Sequence, residues 1–149
     1  MLYRKFYDEL VKWYKQEKKL ALLIDGARQI GKTTLIRQFA KDYYGDNFVE
    51  INFINTPSAK EIFVGDLSVD GIISKLTLFL RRPLTPHKTL IFFDEVQECL
   101  EVRTAIKFLV DDGRFDYIES GSLLGINYKE IKSYAVGYEE NRTMYPMDF

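Results

Sequence analysis

The sequence predicts an α/β domain in which a parallel β-sheet is covered on both faces by helices. Short apolar runs alternate along the chain with segments whose apolar residues recur every three or four positions, which is the pattern of alternating strands and helices. Two of the runs, 20–24 and 90–93, are apolar throughout, as expected for strands that are buried on both faces. Because right-handed crossovers place helices against such a sheet, the pattern predicts a three-layer α-β-α arrangement.

The first half of the chain is divided by clear turn signals. Gly45-Asp46-Asn47 ends one helical stripe and Arg82-Pro83 ends another, since proline disfavours helical backbone in the residue before it. Apolar spacing assigns the helices and continuous apolar runs assign the strands. The predicted elements are a helix at 1–17, a strand at 20–24, a helix from Lys32 to Tyr43, a strand at 48–53, a short helix at 57–64 and a helix at 72–80.

The second half repeats the alternation and then gives weaker signals. The apolar run 90–93 is followed by a helical stripe that Asp111-Asp112-Gly113 ends, and by a further strand that Ser120-Gly121-Ser122 caps. The predicted elements are a strand at 90–93, a helix at 102–110, a strand at 115–119, a short helix near 129–134 and a strand near 142–145.

Length and composition limit the class of protein. The 149 residues predict one domain, 1–149, since domains commonly have about 100–200 residues. With 21 Lys+Arg against 22 Asp+Glu, the chain lacks the excess positive charge of a sequence-independent nucleic-acid binder, and we expect no direct nucleic-acid contact. The single cysteine excludes an intramolecular disulfide and a multi-cysteine metal site. No apolar run resembles a membrane span or a signal peptide, so we expect a cytoplasmic domain without membrane contact.

A glycine-rich segment follows the first predicted strand and matches G-x-x-x-x-G-K-[ST]. Its glycines allow backbone N–H groups to face phosphate oxygens, and the helix that begins at Lys32 adds its positive end. We expect Lys32 to reach the β- and γ-phosphates and the Thr33 hydroxyl to ligate Mg²⁺. For the side chains of Arg28 and Gln29, plain solvent exposure is preferred over contact with phosphate or with a neighbouring subunit. The candidate nucleotide-binding residues are Gly26, Ala27, Arg28, Gln29, Ile30, Gly31, Lys32, Thr33 and Thr34.

Two carboxylates, Asp94 and Glu95, follow the apolar run 90–93. The first is placed to hold Mg²⁺ opposite Thr33, and the second to activate a water molecule as a general base. The alternative is an acidic pair that only stabilises the start of a helix. Gln97 either orients water or the next element, or is exposed on a helix surface.

Polar residues elsewhere are weaker candidates. Ser120 or Ser122 is placed to sense the γ-phosphate or position water, against the alternative of an ordinary Ser-Gly-Ser turn. An arginine commonly stabilises charge on the γ-phosphate. For each of the three arginine candidates a surface ion pair is the preferred interpretation, and Cys99 and His87 are expected to be a packed thiol and a solvated imidazole. The three arginines are Arg103, Arg114 and Arg142.

Four segments in this order resemble the N-terminal AAA-type domain of a prokaryotic ATPase family whose members carry a C-terminal domain of unknown function. They are Gly-Ala-Arg-Gln-Ile-Gly-Lys-Thr-Thr at 26–34, Phe-Phe-Asp-Glu-Val-Gln at 92–97, Tyr-Ile-Glu-Ser-Gly-Ser-Leu-Leu-Gly-Ile at 117–126 and Met-Tyr-Pro-Met-Asp-Phe at 144–149. The resemblance implies a P-loop NTPase fold with a five-stranded, mostly parallel sheet of order 5-1-4-3-2, and ATP as the ligand. Many relatives have Gly-Arg where this chain has Gly137-Tyr138, and they continue beyond Phe149 into a lid and the C-terminal domain.

The function expected from these features is binding of ATP with Mg²⁺ and slow hydrolysis, with Lys32, Glu95 and one of the two serines in catalytic roles. The nucleotide state would be coupled to the C-terminal domain or to a partner, and a homo-oligomer remains open. The first alternative is a nucleotide-gated switch that does not hydrolyse ATP, and the second is a P-loop kinase. A GTPase is disfavoured because no Asn-Lys-x-Asp motif occurs.

Overall fold

The computed structural model describes residues 2–26, 31–121 and 139–144. Within these ranges the strands are β1 (Ala21–Gly26), β2 (Phe48–Asn52), β3 (Leu90–Asp94), β4 (Asp116–Gly121) and β5 (Glu139–Met144). The α-helices are α1 (Leu2–Tyr14), α2 (Lys32–Tyr44), α3 (Val69–Leu80) and α4 (Glu101–Asp112). Two 3-10 helices span Pro57–Phe63 and Val96–Glu98.

The five strands form one sheet of order β2-β3-β4-β1-β5, in which every described pairing is parallel. This confirms the order implied by the family resemblance. The register aligns Asp94 with Asn52 on one side and with Ser120 on the other. Since parallel strands end at the same edge, the polar residues at the carboxyl ends of β2, β3 and β4 are brought together there.

Side chains that alternate along the central strands pack into two separate hydrophobic cores, one on each face of the sheet. Leu22 and Ile24 point to the face covered by α1 and α2, and Leu23 points to the face covered by α3, α4 and the first 3-10 helix. Both faces of β1 and β3 are therefore buried, as their continuous apolar sequences predict. The three-layer α-β-α fold is confirmed.

Helix α1 closes the first layer with an aromatic contact surface. Trp13 is buried against Phe39 of α2, and its indole N–H donates a 2.8 Å hydrogen bond to the carbonyl of Leu20. That bond fastens the start of β1 to the end of the helix. The helix ends at Tyr14, where the prediction extends it to residue 17, because the Gln16 N–H bonds to the Trp13 carbonyl three residues back and tightens the last turn.

Some predicted boundaries are wrong. Ser120 and Gly121 lie within β4 and do not cap it. The short helix predicted at 57–64 is confirmed and is of the 3-10 type, Pro57–Phe63. The last strand is β5, which begins three residues before the predicted start near 142. The helix predicted near 129–134 lies outside the described residues.

Within the ranges that the structure describes, no helix is long and apolar enough to cross a membrane.

Candidate functional site

The first part of the site is the start of α2. Gly31 precedes the helix with φ 76° and ψ 18°, a left-handed conformation that glycine adopts without the steric penalty of a Cβ atom. Its carbonyl accepts a 3.1 Å hydrogen bond from the Leu35 N–H, so the glycine turns directly into the helix. Lys32 is the first helical residue and is only 2% exposed. The predicted binding residues Ala27, Arg28, Gln29 and Ile30 lie outside the described residues.

Asp94, at the end of β3, is held by three donors from three parts of the chain. Its Oδ2 accepts hydrogen bonds from Thr33 Oγ1 at 3.1 Å and Asn52 Nδ2 at 3.4 Å, and its Oδ1 accepts one from the Glu95 backbone N–H at 2.9 Å. Burial is the largest influence on this carboxyl and raises its pKa, while the Thr33 hydrogen bond acts in the opposite direction. The structure thus brings together the two residues predicted to share a metal ion.

Glu95 adopts a left-handed backbone conformation with φ 60° and ψ 47°, which is uncommon for a residue with a side chain. It is buried, and its Oε1 accepts a 3.2 Å hydrogen bond from Gln97 Nε2. Gln97 is half-buried, and its amide contacts the acidic pair through Glu95. The interpretation of Gln97 as a residue exposed on a helix surface is therefore wrong.

Ser120 lies in the centre of the sheet edge, between Asp94 of β3 and Ile24 of β1. Its side chain is fully buried, and its Oγ has no hydrogen-bond partner among the described residues. A buried hydroxyl without a partner is unfavourable in the free protein, so a donor or acceptor supplied by a ligand would satisfy it. Ser122, the alternative predicted residue, lies outside the described residues.

Asn52 is a site residue that the sequence reasoning missed. Its Oδ1 accepts hydrogen bonds from the backbone N–H groups of Ile54 and Asn55, at 2.9 and 3.0 Å, which fixes the amide while its Nδ2 faces Asp94. A usable signal was present, because Asn52 is a polar residue near the end of a predicted strand. Its proximity to Asp94 depends on the β2–β3 register, which the sequence does not give.

Arg103 corrects the expectation of a surface ion pair. It is fully buried in α4 and pairs with two carboxylates, Glu119 of β4 and Glu139 of β5. Nη1 lies 2.9 Å from Glu119 Oε1, and Nη2 lies 2.8 Å from Glu139 Oε1. The guanidinium thus ties α4 to β4 and β5 of the sheet.

The other candidate residues lie as predicted. Arg114 pairs with Asp112 and Asp70, and Arg142 pairs with Glu9 and Glu140, in all cases with partly exposed guanidinium groups. Cys99 is buried, and burial raises the pKa of its thiol to about 12, so it is a packed and unreactive group. His87 is exposed.

The donor set fits a phosphate-bound Mg²⁺ ion. Magnesium prefers oxygen ligands, and the Thr33 hydroxyl and Asp94 carboxylate supply them beside the N-terminus of α2. The buried Lys32 and the helix N-terminus supply positive potential for an anion. A parallel sheet whose first strand is followed by a glycine-containing segment and such a helix, with an acidic residue at the end of β3 and β4 lying between the two strands, is typical of the nucleotide-binding P-loop class.

The chain belongs to a family described as an AAA domain, whose pattern matches residues 18–149. It is therefore an AAA-type domain of the nucleotide-binding P-loop class. A comparison with curated proteins gives no match.

Solved structures share the fold at low sequence identity. The Aeropyrum pernix ORC1 protein, solved in complex with DNA, is 16% identical with a TM-score of 0.55, and the match covers 94% of this chain and 44% of that one. Drosophila ORC bound to AT-rich DNA and Cdc6 is 10% identical with a TM-score of 0.60, covering 97% of this chain and 55% of that one. This chain thus spans about half the length of the chains that it resembles.

Proposed function

We propose that this domain binds ATP together with Mg²⁺ and hydrolyses it slowly. The observation that carries the proposal is the hydrogen bond from Thr33 to Asp94, because it places a hydroxyl and a carboxylate side by side at the N-terminus of α2. Those two groups, in that position, are the pair that holds a nucleotide-bound metal ion in P-loop proteins.

Each residue of the site then has a distinct role. Lys32 and the backbone N–H groups at the start of α2 bind the phosphates, and Thr33 and Asp94 hold the metal. When bound, Mg²⁺ supplies charge neutralisation at the β- and γ-phosphate oxygens. Glu95 accepts the proton of the attacking water as the water oxygen bonds to the γ-phosphorus and the bond to the β-phosphate oxygen breaks.

Ser120 is the proposed sensor of the γ-phosphate. Its buried Oγ, adjacent to Asp94 in the register and without a partner among the described residues, supports this assignment. A hydroxyl that is satisfied only when the phosphate is present makes the sheet edge responsive to the nucleotide state. Such a response is suited to coupling with an appended C-terminal domain or a partner.

Binding and hydrolysis are tested separately. Titration with a fluorescent ATP analogue should show Mg²⁺-dependent binding that Lys32→Ala weakens by at least about tenfold, or ~1.4 kcal/mol. Lys41→Ala is the matched control, because Lys41 is an exposed lysine of the same helix. Phosphate-release assays should show slow turnover that Glu95→Gln abolishes and Glu98→Gln, an exposed neighbour, leaves unchanged.

Three results would contradict parts of the proposal. If Lys32→Ala binds ATP as tightly as the unsubstituted protein does, the assignment of Lys32 to phosphate binding is wrong. Tight ATP binding with no phosphate release, with every partner supplied, makes the domain a nucleotide-gated switch. Transfer of the γ-phosphate to an acceptor, in place of its release as inorganic phosphate, makes it a kinase.

A further inference from the structure

The amide of Gln97 lies between the proposed general base and the end of a central strand. Its Nε2 donates to Glu95 Oε1 at 3.2 Å, and its Oε1 faces the backbone of Gly121. Gly121 is the last residue of β4 and pairs in register with Asp25 of β1, just before β1 leads into the phosphate loop. The amide therefore spans from the acidic pair to the strand beside the loop.

Glu95 is fixed at three points. Its N–H donates to Asp94 Oδ1 at 2.9 Å, its carbonyl accepts from the Glu98 N–H at 3.0 Å, and its side chain accepts from Gln97. A left-handed backbone at a residue with a Cβ atom persists only where its surroundings enforce it. The two backbone contacts enforce the turn, whereas the Gln97 contact acts on the carboxylate itself.

Gly121 provides the space that this arrangement needs. A Cβ atom at residue 121 would lie 2.3 Å from Gln97 Oε1 and 3.2 Å from the Val96 nitrogen. Of these two atoms, the closer one is the far end of a flexible side chain, so an added methyl group would displace the Gln97 amide first. Glycine is thus required at position 121 because the Gln97 side chain lies too close for a Cβ atom, and its absence lets the Gln97 amide occupy this position.

We infer that Gln97 is a positioning residue that orients the Glu95 carboxylate for water activation, and that Gly121 acts through it. The inference rests on the proposed function, in which Glu95 is the general base. It assigns Gln97 an effect on the rate of the chemical step and none on nucleotide affinity, because its Nε2 donates to the base and its Oε1 has no hydrogen-bond partner among the described residues.

The decisive experiment compares kcat and KM for ATP hydrolysis, together with the single-turnover rate of the chemical step, in variants of the full chain. Gln97→Met keeps the length of the side chain but removes the N–H donor, so we expect kcat to fall by about 10- to 100-fold, as small misplacements of catalytic groups do, with KM within twofold. Gln38→Met is the matched control, since Gln38 is exposed on α2 and donates to Asp42 on the same helix. Unchanged KM and melting temperature show that the variants are folded.

A double-mutant cycle separates positioning from packing. Gly121→Ala should lower kcat in the unsubstituted protein but have little further effect in Gln97→Ala, where the side-chain amide at 2.3 Å is gone and only the milder contact with the Val96 nitrogen at 3.2 Å is left. Additive effects, or a kcat for Gln97→Met within twofold of the unsubstituted protein while Glu95→Gln abolishes turnover, overturn this inference alone. If Glu95→Gln leaves turnover unchanged, the base assignment fails and the inference fails with it.

Discussion

Thr33 Oγ1 donates a 3.1 Å hydrogen bond to Asp94 Oδ2, which joins the first turn of α2 to the end of β3 across 61 positions of sequence. Asp94 is also held by Asn52 and by its own neighbour's N–H, so its carboxylate is oriented before any ligand arrives. A preorganised site loses less conformational entropy on binding than one that must be assembled. The metal-binding groups of the proposed ATPase are thus part of the folded scaffold.

The charge of Asp94 should matter only when Mg²⁺ is present. Asp94→Asn keeps the shape of the side chain and an oxygen that accepts from Thr33, but it removes the negative charge that a metal ion requires. We expect ATP binding in Mg²⁺ to weaken by at least about tenfold, or ~1.4 kcal/mol, with little change when a chelator removes the metal. Titrations in both conditions measure this, with the exposed Asp46→Asn as control. An equal loss with and without Mg²⁺ would contradict a metal-binding role.

Ser120→Ala should separate stability from activity. The buried hydroxyl has no partner among the described residues, so its removal should raise the free energy of unfolding of the free protein by about 1 kcal/mol. The same variant should hydrolyse ATP more slowly if Ser120 senses the γ-phosphate. Urea unfolding and phosphate release on the same samples test both effects. A variant that is less stable and equally active would contradict the sensor assignment.

Arg103 should be among the costliest polar residues to replace. Arg103→Met leaves the carboxyl groups of Glu119 and Glu139 buried without the guanidinium that hydrogen-bonds to both, and we expect a loss of about 3–5 kcal/mol in the free energy of unfolding. Arg37→Met is the control, because its pair with Glu50 is on the surface, where such pairs contribute about 0–1 kcal/mol. Urea unfolding measures both losses. Similar values for the two variants would show that the buried contacts of Arg103 contribute no more to stability than a surface ion pair does.

Local sequence patterns predict those parts of the fold that depend on neighbouring residues. The continuous apolar runs give β1 and β3 because burial on both faces leaves no room for polar alternation, and the glycine-lysine-threonine segment gives the start of α2. Thr33 and Asp94 could be paired in advance because the loop motif and an acid at a strand end have a fixed relationship in this class of fold.

The remaining contacts depend on register and turn geometry. Asn52 reaches Asp94 because β2 and β3 pair residue for residue, and Gln97 reaches Glu95 because a left-handed residue starts a 3-10 turn. The sequence alone predicts a surface position for Arg103, because an isolated charged residue is normally solvated. Its partners are 16 and 36 positions away, so only the assembled sheet reveals that the charge is compensated inside.

Glu119 should make the stability of this domain depend on pH. Burial, then the neighbouring Glu139 carboxylate, raise its pKa well above the ordinary value of 4.5, against the opposing influence of Arg103. Above pH 4.5 the unfolded chain loses this proton while the folded protein keeps it. The folded state then binds more protons, and so the free energy of unfolding falls as pH rises until the folded carboxyl ionises as well. Below pH 4.5 the contribution is complete.

Glu119→Gln tests this directly, because the amide keeps an oxygen that accepts from Arg103 and cannot ionise. We expect the variant to lack this decline, so that its free energy of unfolding relative to the unsubstituted protein increases with pH above 4.5. Urea unfolding of both proteins from about pH 4 to about pH 8 measures the difference at each pH, with Glu98→Gln as an exposed control. Parallel curves for Glu119→Gln and the unsubstituted protein would show that Glu119 carries its charge in the folded state just as it does in the unfolded chain.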